Sequence, residues 1–164
     1  MESRSILGKT VHDTNQLETV ELSCKTEYAL LALLELVGEY NSGEPLQIRQ
    51  IAAHQNIPDR YLEQLLATLR RGGLVRSQRG AKGGYILSQE PWKITLFDIV
   101  SCLDGTPSKV SNIDPASKTV ESAVVQDIWQ EIYNRSNDIL REYTLQDLYD
   151  KRNHKRQLNI MYYI

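Results

Sequence analysis

Leu62, Leu65, Leu66 and Leu69 recur at spacings of three and four, with Tyr61 beside them, while Arg60, Glu63, Gln64, Thr68 and Arg71 fall in between. That period gives a helix over 59–71 one buried face and one polar face. Gly72 and Gly73 follow and supply a residue able to take positive φ and end the helix. Leu74 and Val75 then begin a short strand, residues 77–82 form a tip, and Tyr85, Ile86 and Leu87 run back. The pattern predicts a helix followed at once by a β-hairpin.

Upstream, residues 26–40 form a strongly apolar helix with Tyr28, Leu31, Leu34 and Leu36 as core candidates and Ser23 or Thr26 as its cap. After a loop containing Pro45, residues 48–53 place small and branched apolar side chains at helical spacing, and Asn56-Ile57-Pro58 breaks the chain. Pro58 in the first turn and Asp59 at the N-terminus open the next helix, so the pair reads as a helix-turn-helix with 59–71 as recognition helix. Residues 96–103 predict a further helix, and 107–117 a loop. From Lys118, Val120, Val124, Ile128, Ile132, Ile139 and Tyr143 describe a long amphipathic helix, flanked by Val125, Trp129, Tyr133 and Leu140. The 26 residues to Tyr143 reach roughly 39 Å, more than a domain of this size can cover. Such a stripe packs against a second copy, here through Val124, Ile128, Ile132 and Ile139, or bends back on its own domain. The expected fold is mainly α with a small β wing: a winged helix-turn-helix domain plus a long C-terminal dimerisation helix. It divides into a tail over 1–20, the winged domain over 21–104, a loop over 105–117, and the dimerisation helix with a C-terminal segment over 118–164.

Charge sharpens this picture. The chain has 164 residues, 41% of them hydrophobic, and a formal net charge of -2. Yet between Arg60 and Lys82 there are six basic residues against one acid, Glu63. Positive charge gathered on one helix and one hairpin is what a phosphate-binding surface requires. The turn Arg79-Gly80-Ala81-Lys82-Gly83-Gly84-Tyr85 adds glycines that let backbone approach a groove wall, with Arg79 and Lys82 projecting. The candidate DNA contacts are Arg49, Arg60, Tyr61, Glu63, Gln64, Arg70, Arg71, Arg79, Lys82 and Gly83. Glu63 can accept from a cytosine amino group and Gln64 can pair with adenine, while an arginine suits the negative potential of a narrow minor groove. Other readings stand beside these: Glu63 pairing within its own helix, Tyr61 as a core residue, and a winged helix that binds a protein rather than DNA.

The segments LSCKTEYAL, IAAHQNIPDRYLEQLLATLRRGGLV, RGAKGGYIL, ITLFDIVSCLDG and TLQDL closely resemble the Rrf-type bacterial transcription regulators, across about residues 22–148. The resemblance implies a homodimeric winged-helix regulator of palindromic operators whose long C-terminal helix crosses to the partner. It carries Arg60, Tyr61, Glu63 and Gln64 to the major groove and Arg79 to the minor groove. One departure concerns cofactors. The best-known members hold an iron-sulfur cluster through three cysteines in the loop before the long helix, whereas residues 104–118 here contain no Cys and no His. Cys24 and Cys102 are the only cysteines, so no cofactor or metal is expected and both read as packing residues. An unusual cluster would have to draw on Cys24, Cys102 and Glu27, the last at a position where some relatives supply a carboxylate. Relatives without the cysteines imply a regulatory protein, a thiol switch or a small-molecule effector as the signal.

Other classes find little in the chain. His12, His54 and His154 lie far apart with no nucleophile motif, which argues against an enzyme. The longest apolar stretch, 28–37, is interrupted by Glu35 and too short to span a bilayer. Residues 1–20 lack the apolar run of a signal peptide, so a cytoplasmic location is expected.

Overall fold

The structure, a computed structural model, describes residues 22–105 and 119–162. The expected tail over 1–20 and nearly all of the loop over 105–117 lie outside the described residues. Six α-helices and one hairpin make up the rest: α1 (Cys24–Gly38), α2 (Ile48–Gln55), α3 (Asp59–Arg71), β1 (Val75–Gln78), β2 (Gly84–Leu87), α4 (Leu96–Asp104), α5 (Val120–Glu142) and α6 (Leu145–Tyr162). A single 3-10 turn at Pro91–Lys93 leads into α4.

Ser23 caps α1 by accepting a hydrogen bond from the Thr26 amide, which starts the helix at Cys24, two residues before the expected 26. α1 is the central strut. Ala29, Ala32, Leu33, Leu34, Leu36 and Val37 are buried, while Tyr28 and Leu31 stay half-buried, because α2, α3, α4 and α6 all pack around this helix. α2 ends at Asn56, whose left-handed backbone (φ 53, ψ 45) makes the sharp turn into α3. Ile57 in the turn is buried, and Pro58 stands just outside α3 as its N-cap. Leu62, Leu65, Leu66 and Leu69 then fill the core at no more than 4% exposure. Burial of each contributes roughly 1.5–3 kcal/mol.

α3 ends where Gly73 adopts φ +76 and the Leu74 amide donates to the Leu69 carbonyl, leading the chain into the wing. β1 and β2 pair antiparallel from Val75↔Leu87 to Gln78↔Gly84. Leu46 adds a short third rung through mutual backbone bonds with Tyr85, of 3.0 and 2.8 Å.

The C-terminal third holds two helices. The chain breaks at Tyr143 and Thr144, and α6 returns along α1 and the 3-10 turn with Leu145 fully buried. The buried core therefore takes in Leu145 of α6 together with Ile94, Ile99 and Leu103. α5, at 23 residues and about 35 Å, buries no side chain and touches the body through α4, where the Arg141 guanidinium lies 3.8 Å over the Phe97 ring. Val124, Ile128, Ile132 and Ile139 are 55%, 53%, 49% and 54% exposed. No helix among the described residues is long and apolar enough to cross a membrane.

Candidate nucleic-acid interface

The four leucines of α3 anchor one face and leave Arg60, Glu63 and Gln64 exposed on the other. Their side chains make no ion pair and no hydrogen bond among the described residues. Glu63 in particular forms no pair within its own helix. Tyr61 is half-buried, its ring edge-on to Tyr28 at 5.7 Å between centroids, so it props the start of α3 against α1. The preceding helix is tied down as well: Glu35 of α1 accepts from His54 at 3.0 Å and from Gln55, both in the last turn of α2. Arg49 is exposed in the first turn of α2.

At the far end of α3 the cations are braced. Arg71 donates to Thr68 at 3.2 Å, and Arg70 reaches Ser77 of the wing at 3.4 Å. Arg79 and Lys82 project from the hairpin tip without partners among the described residues. Gly80 takes φ +118, a conformation side chains disfavour, with open space around it. Gly83 and Gly84 answer to the fold instead. A Cβ on Gly83 would overlap the Gln78 carbonyl across the turn, and one on Gly84 would overlap the Leu46 backbone. The glycine run thus lets the hairpin close and Leu46 pass beside it, a constraint with no local signature in the sequence.

The possible metal ligands are dispersed. Cys24 and Glu27 lie exposed in the first turn of α1, where hydrogen bonding to Cys24 raises the pKa of the Tyr28 phenol. Cys102 lies in α4 under the end of α3, its thiol donating to the Thr68 carbonyl at 3.5 Å. Burial pushes that thiol up, against smaller opposing effects from the Gly72 backbone, Arg71 and Lys25, so it is a protonated packing group at neutral pH. Among the described residues no group of three or more His, Cys, Asp or Glu could hold a metal ion.

The arrangement is that of a DNA reader: a helix with one anchored and one free polar face, flanked by a basic hairpin. Comparisons with known proteins agree. The Rrf2 family, described as an iron-dependent transcriptional regulator, matches residues 22–151. CymR of Bacillus subtilis, a helix-turn-helix-type transcriptional regulator, is 36% identical over 129 residues, 79% of this chain and 89% of its own. A regulator of the same type from Synechocystis, slr0846, is 36% identical over 130 residues, 79% of this chain and 88% of its own. Among solved structures, CymR of B. subtilis superposes with a TM-score of 0.67 at 34% identity, over 81% of this chain and 98% of that one. IscR of T. potens gives 0.66 at 32%, over 80% and 88%. The chain belongs to the Rrf2 family and is a DNA-binding transcriptional regulator, not an enzyme.

Proposed function

We propose that two copies of this chain bind a palindromic operator, each laying α3 in a major groove and its wing along the neighbouring minor groove. The observation that carries this reading is the exposed, unpartnered row of Arg60, Glu63 and Gln64 over a face of buried leucines. Leaving such groups free in the unbound protein keeps their hydrogen-bonding capacity for base edges. Glu63 accepts from a cytosine amino group and Gln64 pairs with an adenine. Arg60 supplies a cation to guanine or to phosphate. Arg49, Arg70, Arg71 and Lys82 neutralise backbone phosphates, and Arg79 enters the minor groove. Tyr61 and Gly83 act by holding the helix and the hairpin in shape. The exposed stripe of Val124, Ile128, Ile132 and Ile139 on α5 is the surface that joins the two copies. One subunit supplies only half of the contacts, so joining two raises operator affinity without any new contact to DNA.

The family description names iron, and the donor set of this chain does not suit it. Residues 106–118 contain neither Cys nor His, and the thiols present are Cys24 on α1 and Cys102, packed under α3. We infer that DNA binding here proceeds without an iron-sulfur cluster and that a different signal, a partner protein or a small effector, controls it.

Selection of bound duplexes from a random-sequence pool tests the reading. It predicts an inverted repeat recovered repeatedly, bound with an affinity that falls steeply with salt. Recovery of unrelated sequences, with affinity equal to that for random DNA, would favour a winged helix that serves as a protein-binding module.

A further inference from the structure

Away from the DNA-reading face, α1, α2 and α6 line an open cleft of about 480 Å³. One wall carries Glu35 in the last turn of α1 and Glu39, the residue that caps its end; the facing wall carries Arg152 and Arg156, one turn apart on α6. Rows of opposite charge on adjacent helices normally close into ion pairs. These do not: neither arginine has a carboxylate within ion-pairing distance among the described residues. Tyr149 lies between the rows against Gly38, and the Arg152 guanidinium rests on its ring at 4.3 Å. Arg152 makes only long bonds, to the Leu34 carbonyl at 3.4 Å and to Asn153. The cleft is thus polarised, with anchored acids on one side and cations held apart from them on the other.

We propose that this cleft binds a small zwitterion of the α-amino acid class, its carboxylate on Arg152 and Arg156 and its ammonium on Glu39 and Glu35. Such a ligand satisfies both rows at once. An arginine pair suits a carboxylate's fork geometry, and the Tyr149 ring under Arg152 holds that guanidinium in place. The volume falls within the range of small-molecule sites, roughly 300–1,000 Å³.

The site reaches the DNA-binding machinery through Glu35. Its carboxylate accepts from His54 and Gln55, the contacts that hold the end of α2 to α1. An ammonium group competing for Glu35 weakens that tie and shifts the support of the turn into α3. The ligand therefore acts as an effector that lowers operator affinity. This consequence rests on α3 being the DNA-reading helix, so ligand binding is measured first without DNA.

Calorimetric titration of the full chain with each standard L-α-amino acid is the experiment, with the matching amines lacking the carboxylate and acids lacking the ammonium as controls. At least one amino acid should bind saturably and both of its controls should fail. Arg156→Ala and Glu39→Gln, two changes at the solvent-facing rim, should each weaken binding by about tenfold or more with unchanged circular dichroism. With DNA present, the same amino acid should weaken operator binding by the wild type and leave the Arg156→Ala variant unaffected. No saturable heat for any amino acid, or binding indifferent to both substitutions, would overturn the site. Binding in the cleft that leaves operator affinity unmoved would overturn its role as an effector. If the wild type bound no DNA at all, the DNA reading would fail while the calorimetry still decided the cleft.

Discussion

Thr95 and Thr144 face each other as an isolated antiparallel bridge pair, with the Leu96 amide donating to the Tyr143 carbonyl at 2.9 Å and the Leu145 amide to the Ile94 carbonyl at 2.8 Å. Each threonine also caps a helix. Asp98 accepts from the Thr95 amide at 2.9 Å and Asp147 from the Thr144 amide at 2.8 Å, while each hydroxyl accepts from the aspartate's own amide. The same short pattern, Thr-Leu-x-Asp, thus appears twice, in Thr95-Leu96-Phe97-Asp98 and Thr144-Leu145-Gln146-Asp147. It sets the N-termini of α4 and α6 side by side, and each carboxylate offsets the positive end of its helix. The clasp fixes the point at which α5 leaves the body.

Thr144→Ala should therefore cost about 1 kcal/mol through loss of the cap, seen as a lower urea midpoint at unchanged slope. Bonds from Thr144 hold the Asp147 carboxyl below its ordinary value. A depressed folded value means that its contribution is complete above the unfolded value of about 3.9 and is lost as pH falls through the folded one. The difference between wild type and Asp147→Asn should accordingly shrink in that acid window. A constant difference from neutral pH down to the end of the window would contradict the assignment.

Gly72 has an ordinary φ, yet a Cβ there would overlap the Cys102 sulfur. Gly72→Ala should destabilise the protein by about 1–3 kcal/mol through overpacking. The double variant with Cys102→Ala should recover part of that loss, because removing the sulfur makes room. A double-mutant cycle from denaturant unfolding measures the coupling; strictly additive effects would show that the two sites do not touch.

How much of this was legible in the sequence follows from which forces are local. The leucine period of α3 and the alternation of apolar and polar positions marked the helix-turn-helix because burial repeats every turn. The end of the long helix at Tyr143 is legible because the apolar stripe of α5 stops there, whereas the Thr144-Asp147 cap that starts a new helix directly afterwards is a short signal. α6 itself was hidden because it is polar nearly all round and is held chiefly by Leu145, Leu148 and Tyr149. The wing glycines suggest groove contacts, but Gly83 is also required by the tight closure of its own turn against Gln78, and Gly84 by the crossing of Leu46, which is distant in sequence. The separation of Arg152 and Arg156 from Glu35 and Glu39 is likewise tertiary, and no pattern along the chain announces it.

Ile132 lies midway along the exposed stripe of α5, at 49% exposure in the single chain. Ile132→Arg should leave the helical content unchanged and convert the protein to a monomer, since it places an unpaired charge in the proposed subunit contact at a cost of several kcal/mol. Sedimentation measures the state directly. A variant that stays dimeric would move the contact away from this face.

Protein prepared without oxygen in the presence of iron and sulfide should remain colourless, and its operator affinity should not change when a chelator is added. Stoichiometric iron and sulfide that disappear on replacing Cys24 or Glu27 would restore the unusual ligand set built on α1.

The reading of α3 and the wing is tested most directly by operator specificity. Affinities of the wild type, Glu63→Ala and Arg79→Ala are to be measured for the selected palindrome and for each of its single-base-pair variants. Loss of Glu63 should relax discrimination by about 1–3 kcal/mol at one base pair in each half-site and leave the others unchanged. Loss of Arg79 should instead weaken binding most where the flanking minor groove is narrow. Equal losses on operator and random DNA for Glu63→Ala, or no loss for either variant, would contradict the account.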